Sequence, residues 1–178
     1  CMLWQTSPAA TEMETRMMEW LASMINLPQK FSGVIQDSAS SATLCALLTA
    51  REQATSWKTN KSGFMKVSKK LIVYTSEEAH SSTEKGAKIA GFGRDNIRFI
   101  PTDNKFRMRA SLLRQKIQLD IKKGFVPTCV VASVGTTGVG AVDPIKEIAA
   151  ICREFDVFLH IDAAWAGAAM MLPELRPM

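Results

Sequence analysis

The chain has 178 residues, of which 47% are hydrophobic, and carries a formal charge of +5; that length and apolar content suit a single globular, soluble domain with a real core. No stretch approaches the roughly 20 apolar residues of a membrane span, and residues 1–20 lack the basic head and apolar middle of a secretory signal, so the cytoplasm is the expected compartment. Cys1, Cys45, Cys129 and Cys152 show no C-x-x-C spacing, and the last three fall inside apolar patterns, so core packing is expected of them rather than metal binding or disulfides.

The first element is a helix over "TEMETRMMEWLASMIN" (11–26), with Thr11 and Glu14 in capping-box spacing. Met13, Met17, Trp20, Leu21 and Met24 fall on one face of it, which predicts a core-facing stripe, and Leu27-Pro28 ends it. A short strand "GVIQ" (33–36) and a helix over 40–53 follow. The basic run "KTNKSGFMKVSKK" (58–70) lacks the interleaved aromatics of a nucleic-acid stacking platform and reads as a solvated loop. Then come a strand "KLIVYT" (70–75), a helix over 79–90, a strand "NIRFIP" (96–101) and a helix over 109–123 closed by Gly124. A strand "TCVVASV" (128–134), a helix over 144–155 with Pro144 in its first turn and a last strand "VFLHI" (157–161) complete the pattern. Continuous apolar strands separated by helices of this length predict an α/β fold: a mostly parallel sheet with helices on both faces. No internal repeat or linker divides the chain.

In an open parallel sheet, ligands sit beyond the carboxyl ends of the strands, where loops converge and helix N-termini point inward. Small, hydroxylated or ionisable residues follow four of the expected strands: Asp37-Ser38-Ala39-Ser40-Ser41, Ser76-Glu77-Glu78-Ala79-His80, Gly135-Thr136-Thr137-Gly138 and Asp162-Ala163-Ala164. The serines at 38–41 open a helix; taken alone, plain capping is the simpler reading, and a phosphate held by hydroxyls and free N–H groups is the alternative. His80 is either a satisfied surface residue or a ring placed to stack on a flat ligand and relay a proton. His160 shares a strand face with Asp162, so it either bonds that carboxylate or is structural, the simpler reading.

Asp162 carries the most information. A carboxylate directly after an apolar run needs a partner, because an unpaired acid out of water takes up a proton instead. The usual metal motifs are missing, as are a G-x-S-x-G elbow and a G-x-G-x-x-G turn, which argues against a transition metal, a hydrolase triad and a dinucleotide site. An acid facing a protonated heterocycle remains.

Five blocks, "SPAATEMETRMMEWL", "GVIQDSASSATLCALLTAR", "YTSEEAHSSTEKGAKIAG", "VASVGTTGVGAVDPI" and "HIDAAWAGAAMMLPELR", resemble in this order the pyridoxal-phosphate-dependent group II amino-acid decarboxylases, and among them the aromatic-L-amino-acid decarboxylases most. The resemblance implies a type I, aspartate-aminotransferase-like large domain and pyridoxal 5'-phosphate as cofactor. Ser38, Ala39 and Ser40 then match the phosphate-binding turn, His80 the histidine stacked on the pyridine ring, and Thr137 a threonine near cofactor and substrate. Asp162 matches the aspartate on the pyridine nitrogen, and Ala164 the residue under the ring. His80 and Asp162 would be the catalytic pair, with no metal. Asp37 stands where the family has glycine, and its charge opposes an anion at that turn.

The family's Schiff-base lysine lies in a His-Lys motif downstream of the Asp162 block. The resemblance therefore implies that residues 1–178 hold a partial large domain, without that lysine, the N-terminal segment or the small C-terminal domain. The lysines present precede a strand (Lys69, Lys70) or fall on helices (Lys85, Lys88, Lys116, Lys122, Lys123, Lys146), so none substitutes for it. The implied activity is decarboxylation of an aromatic L-amino acid to its amine by a cytoplasmic homodimer, with the isolated chain inactive. Decarboxylases of glutamate, histidine or cysteine sulfinate, an aldehyde-forming relative and a truncated non-catalytic protein are the alternatives.

Overall fold

A computed structural model describes residues 3–64 and 67–176. Four strands, β1 (Leu71–Ser76), β2 (Ile97–Ile100), β3 (Val126–Ser133) and β4 (Phe158–Asp162), form one sheet in the order β2-β1-β3-β4, with every pairing parallel. Parallel neighbours need crossovers, and helices supply them: α4 (Ser81–Ile89), α5 (Ala110–Lys122) and α6 (Ile145–Glu154). Ahead of the sheet lie α1 (Pro8–Met24), α2 (Ala39–Ala54) and the short α3 (Lys58–Ser62). None of these helices is long and apolar enough to cross a membrane.

Successive strand residues face opposite sides, and both sides are covered. Ile72, Tyr74, Val130 and Ala132 pack with Leu113, Ile117, Ile148 and Ile151 of α5 and α6. Leu71, Val73, Cys129 and Val131 pack with Leu47, Ala50, Ala87 and Ala90 of α2 and α4. This double burial is why the strands read as unbroken apolar runs; each Val, Leu or Ile among them contributes roughly 1.5–3 kcal/mol on removal from water. Helix α5 ends as expected at Gly124, whose φ of +77° lets its N–H reach the Ile121 carbonyl (2.9 Å) while Phe125 N–H returns to Asp120 (3.0 Å).

Several elements differ from the sequence reading. No strand forms at 33–36: Val34 and Ile35 are exposed, and the Ile35 N–H donates to the Glu14 side chain (Oε1, 2.6 Å) rather than to a neighbouring strand. Helix α1 starts at Pro8, which suits a first helical position, so Thr11 lies inside the helix and its hydroxyl donates to the Ser7 carbonyl (3.1 Å). The expected core stripe of α1 is solvent-facing: Met13, Met17, Trp20, Leu21 and Met24 are all exposed, so no element among the described residues buries it. The basic run holds α3, whose Thr59 is buried and bonds Thr55 (3.0 Å). Helix α4 begins two residues late, at Ser81, because His80 caps it, and Pro144 stands just before α6. Cys129 and Cys152 are buried as expected and Cys45 is exposed, whereas Cys1 lies outside the described residues.

Candidate active site

A cleft of about 170 Å³ opens beyond the carboxyl ends of β1, β3 and β4. The β1–α4 loop supplies His80, the β3–α6 turn Thr136 and Thr137, and the end of β4 supplies Asp162, Ala164 and Trp165. Ala39 and Ser40, in the first turn of α2, close the remaining side. Of the sequence-predicted residues, Ala39, Ser40, His80, Thr137, Asp162 and Ala164 thus share one cleft. Ser38 stands one step behind it as the N-cap of α2, its Oγ accepting the Ser41 N–H (3.3 Å) while the Ser41 hydroxyl accepts the Ser38 N–H (3.2 Å). That reciprocal pair absorbs two hydroxyls and leaves the Ala39 and Ser40 N–H groups without intrahelical acceptors at the positive end of the helix. The Asp37 carboxylate is exposed and accepts the Ser41 hydroxyl, placing a negative charge beside the same turn.

His80 is fixed by its neighbour. Its Nδ1 accepts the Ser82 N–H (3.2 Å) and lies 2.8 Å from the Ser82 hydroxyl, so the neutral ring carries its proton on Nε2. Asp162 is half-buried, and its Oδ1 accepts the Ala164 N–H (3.1 Å), which turns the chain away from β4. His160 does not bond Asp162; its Nε2 lies 3.3 Å from the Thr43 hydroxyl of α2. Burial pushes the His160 pKa below the usual imidazole range, and the Asp162 charge opposes that shift only in part. His160 is therefore the strut that ties the strand of Asp162 to the helix of Ser40, as the structural reading expected.

The turn carrying Thr137 is built from its own backbone. Gly135 and Thr136 N–H groups both donate to the Ala141 carbonyl (3.0 and 2.9 Å), and the Ala141 N–H returns to Thr136 Oγ1 (3.0 Å). Thr136 is accordingly buried, and Thr137 is left exposed on the cleft side. Gly135 adopts φ +87°, and a Cβ there would lie 2.6 Å from the Trp165 ring. Sequence reasoning passed over Ser82, Ser133 and Trp165 as cleft residues. Trp165 lies in the block "HIDAAWAGAAMMLPELR", where a lone aromatic among small residues carries no local signal that it lines a cleft.

A four-stranded parallel sheet covered by helices, with an acid, an imidazole and a helix N-terminus around one carboxyl-edge cleft, belongs to the cofactor-binding α/β class. The family model for the pyridoxal-dependent decarboxylase conserved domain matches residues 1–178, and the chain belongs to that family. Aromatic-L-amino-acid decarboxylase of Mus musculus is 44% identical over 187 aligned positions, covering 97% of this chain and 38% of that protein. The 4-hydroxyphenylacetaldehyde synthase of Rhodiola rosea is 40% identical, covering 97% and 36%. Among solved structures, Oryza sativa TDC with PLP and tryptamine superposes with a TM-score of 0.89 at 40% identity, covering 97% of this chain and 37% of that one. The chain thus spans less than two fifths of the length of these relatives.

The family's cofactor is pyridoxal phosphate, and the donor set fits it. The free N–H groups and hydroxyl at the start of α2 suit a phosphate, and a half-buried carboxylate suits a protonated ring nitrogen. No lysine lines the cleft among the described residues. Lys70 sits at the opposite edge of the sheet, its Nζ 5.4 Å from the Phe125 ring centre.

Proposed function

We propose that the protein takes part in decarboxylation of an aromatic L-amino acid to its amine and carbon dioxide, with residues 1–178 forming the cofactor cradle. One observation carries this reading: Asp162, His80, Thr137 and the first turn of α2 meet in a single cleft. The similarity to aromatic-L-amino-acid decarboxylase of Mus musculus supports the aromatic substrate class. When bound, pyridoxal phosphate supplies the conjugated system that accepts the electron pair left as carbon dioxide departs.

The protein's own residues do the rest. The Ala39 and Ser40 N–H groups and the Ser40 hydroxyl hold the phosphate at the helix N-terminus. Asp162 keeps the ring nitrogen protonated, and Ala164 leaves room for a flat ring. His80 offers an imidazole face for stacking and an Nε2–H for proton relay. Thr137 contributes a hydroxyl on the turn opposite α2. The lysine that anchors the cofactor covalently lies, in this proposal, outside residues 1–178, and the exposed apolar face of α1 supports a homodimer.

The test is reconstitution of the full-length protein with pyridoxal phosphate and assay of amine release from L-tryptophan, L-tyrosine, L-histidine and L-glutamate. The aromatic substrates should be preferred. Asp162→Asn should lower turnover roughly 10²- to 10³-fold, the usual scale for losing one preorganised charge, with a far smaller loss of cofactor occupancy. Equal losses in turnover and occupancy would remove the role given to Asp162. Release of an aldehyde in place of the amine would favour the aldehyde-forming reaction named for the Rhodiola rosea relative.

A further inference from the structure

A second carboxylate lies beneath the cleft without lining it. Asp143 is only 2% exposed, yet no basic side chain bonds it among the described residues. Each of its oxygens takes one backbone N–H: Oδ1 from Met108 (2.7 Å) and Oδ2 from Ser133 (2.8 Å). Its own N–H donates to the Ser133 carbonyl (2.9 Å), so residue 133 is gripped on both backbone groups.

Ser133 is where the cleft begins. It lines the cavity, pairs in register with Asp162, and precedes Val134, whose N–H donates to the Asp162 carbonyl (2.8 Å). Two residues later starts the turn that presents Thr137. A side chain that fixes Ser133 therefore fixes the spacing between the Asp162 and Thr137 sides of the cleft. The third partner, Met108, is buried at 1% exposure on the loop between β2 and α5, which turns a local clamp into a tie across the sheet edge.

We propose that Asp143 is a positioning residue of the cofactor cleft, its carboxylate holding the carboxyl end of β3 and the turn of Thr137 in the geometry that binds pyridoxal phosphate. The inference rests on the reading of this cleft as the cofactor cradle. Burying a carboxylate costs stability unless both oxygens are satisfied, and here the satisfied partners are the backbone of the cleft itself. Asparagine has the same shape but sets an NH₂ against one of the two N–H donors, so one bond is lost whichever way the amide turns.

The experiment is a double-substitution cycle on the full-length protein, with pyridoxal phosphate affinity read by fluorescence titration for wild type, Asp143→Asn, Thr137→Val and the pair. Asp143→Asn should weaken binding about tenfold and Thr137→Val about threefold, with the double variant no weaker than Asp143→Asn alone, because the first change already misplaces Thr137. A double variant that loses the product of the two factors, or an Asp143→Asn protein that binds as wild type does, overturns the proposal. A wild type that takes up no cofactor overturns both this inference and the reading beneath it, whereas a wild type that binds with an additive cycle overturns this inference alone. Should Asp143→Asn fail to fold, amide exchange in wild type decides: cofactor should slow exchange at Met108, outside the cleft, by about tenfold, and unchanged exchange there overturns the tie.

Discussion

The carboxylate of Asp120 on α5 accepts bonds from three directions: Tyr74 Oη (3.1 Å) on β1, and Arg98 Nε (3.0 Å) and Nη2 (3.3 Å) on β2. Its side chain is 1% exposed and that of Arg98 16%, so water does little to screen the pair. Burial, reinforced by the Asp120 charge, pushes the Tyr74 hydroxyl far above the usual phenol range, which keeps it a donor to the acid. At 3.0 Å and an effective dielectric of about 20, the gross attraction is about 5 kcal/mol, and desolvation of both ions offsets much of it. Asp120→Ala removes the attraction without refunding the burial of Arg98 and strands the Tyr74 hydroxyl, so the expected loss is about 3–5 kcal/mol. For a chain of this length that lowers the melting temperature by roughly 10 °C. Urea unfolding followed by circular dichroism measures it directly. Arg98→Met and Tyr74→Phe together with Asp120→Leu should recover most of the loss, since no buried polar group is then left without its partner. A loss under about 1 kcal/mol for Asp120→Ala would show that the acid is solvated in solution and would refute the reasoning.

Acid should weaken the fold through His160. Its folded pKa lies below the unfolded value of about 6.5, so the unfolded chain binds the proton first, and stability held above that pH falls as pH drops through it. His160→Asn should flatten the change in unfolding free energy between about pH 7.5 and 5.5; an unchanged slope would exclude His160 as its source. Gly135→Ala forces a side chain into φ +87° with its Cβ 2.6 Å from Trp165 and 2.7 Å from Ala166, so a loss of about 2–3 kcal/mol and weaker cofactor binding are expected. A melting temperature within a degree of wild type would contradict that. The 178-residue polypeptide should bind the apolar dye ANS on α1, and Met17→Ser with Trp20→Ser should lower the dye signal without lowering the melting temperature. A coincident fall in both would mean that these side chains pack against the body of the chain.

What was legible in the sequence is what short-range physics writes there. The strands from Leu71 onward are covered on both faces and must be apolar throughout, and the helix over 110–122 ends where Gly124 can turn the chain. Much of the cleft was legible because small, hydroxylated or ionisable residues follow β1, β3 and β4 and Asp162 breaks an apolar run with a charge. "GVIQ" misled because a strand exists only beside another strand, and nothing in four residues says whether an edge is near. The α1 stripe has a true helical period, but period reports which side chains share a face and not what covers them.

Buried acids are harder to read still. Asp143 meets Met108 across 35 residues and Asp120 meets Tyr74 across 46, and although Ser133 stands only 10 residues from Asp143, nothing in the block that holds both shows that they are bonded. Each reads locally as an ordinary acid on a helix or in a loop. The asymmetry follows from where specificity is stored. Groups that face a ligand gather on loops and element ends at the open edge of the sheet, where their chemistry shows. The groups that hold those loops must be buried, and a buried polar group is tolerable only with partners the fold has already brought together. A reading of sequence therefore finds the residues that would touch the cofactor before it finds the carboxylate that sets their spacing, and Asp143 becomes visible only once the Ser133 and Met108 N–H groups are seen converging on it.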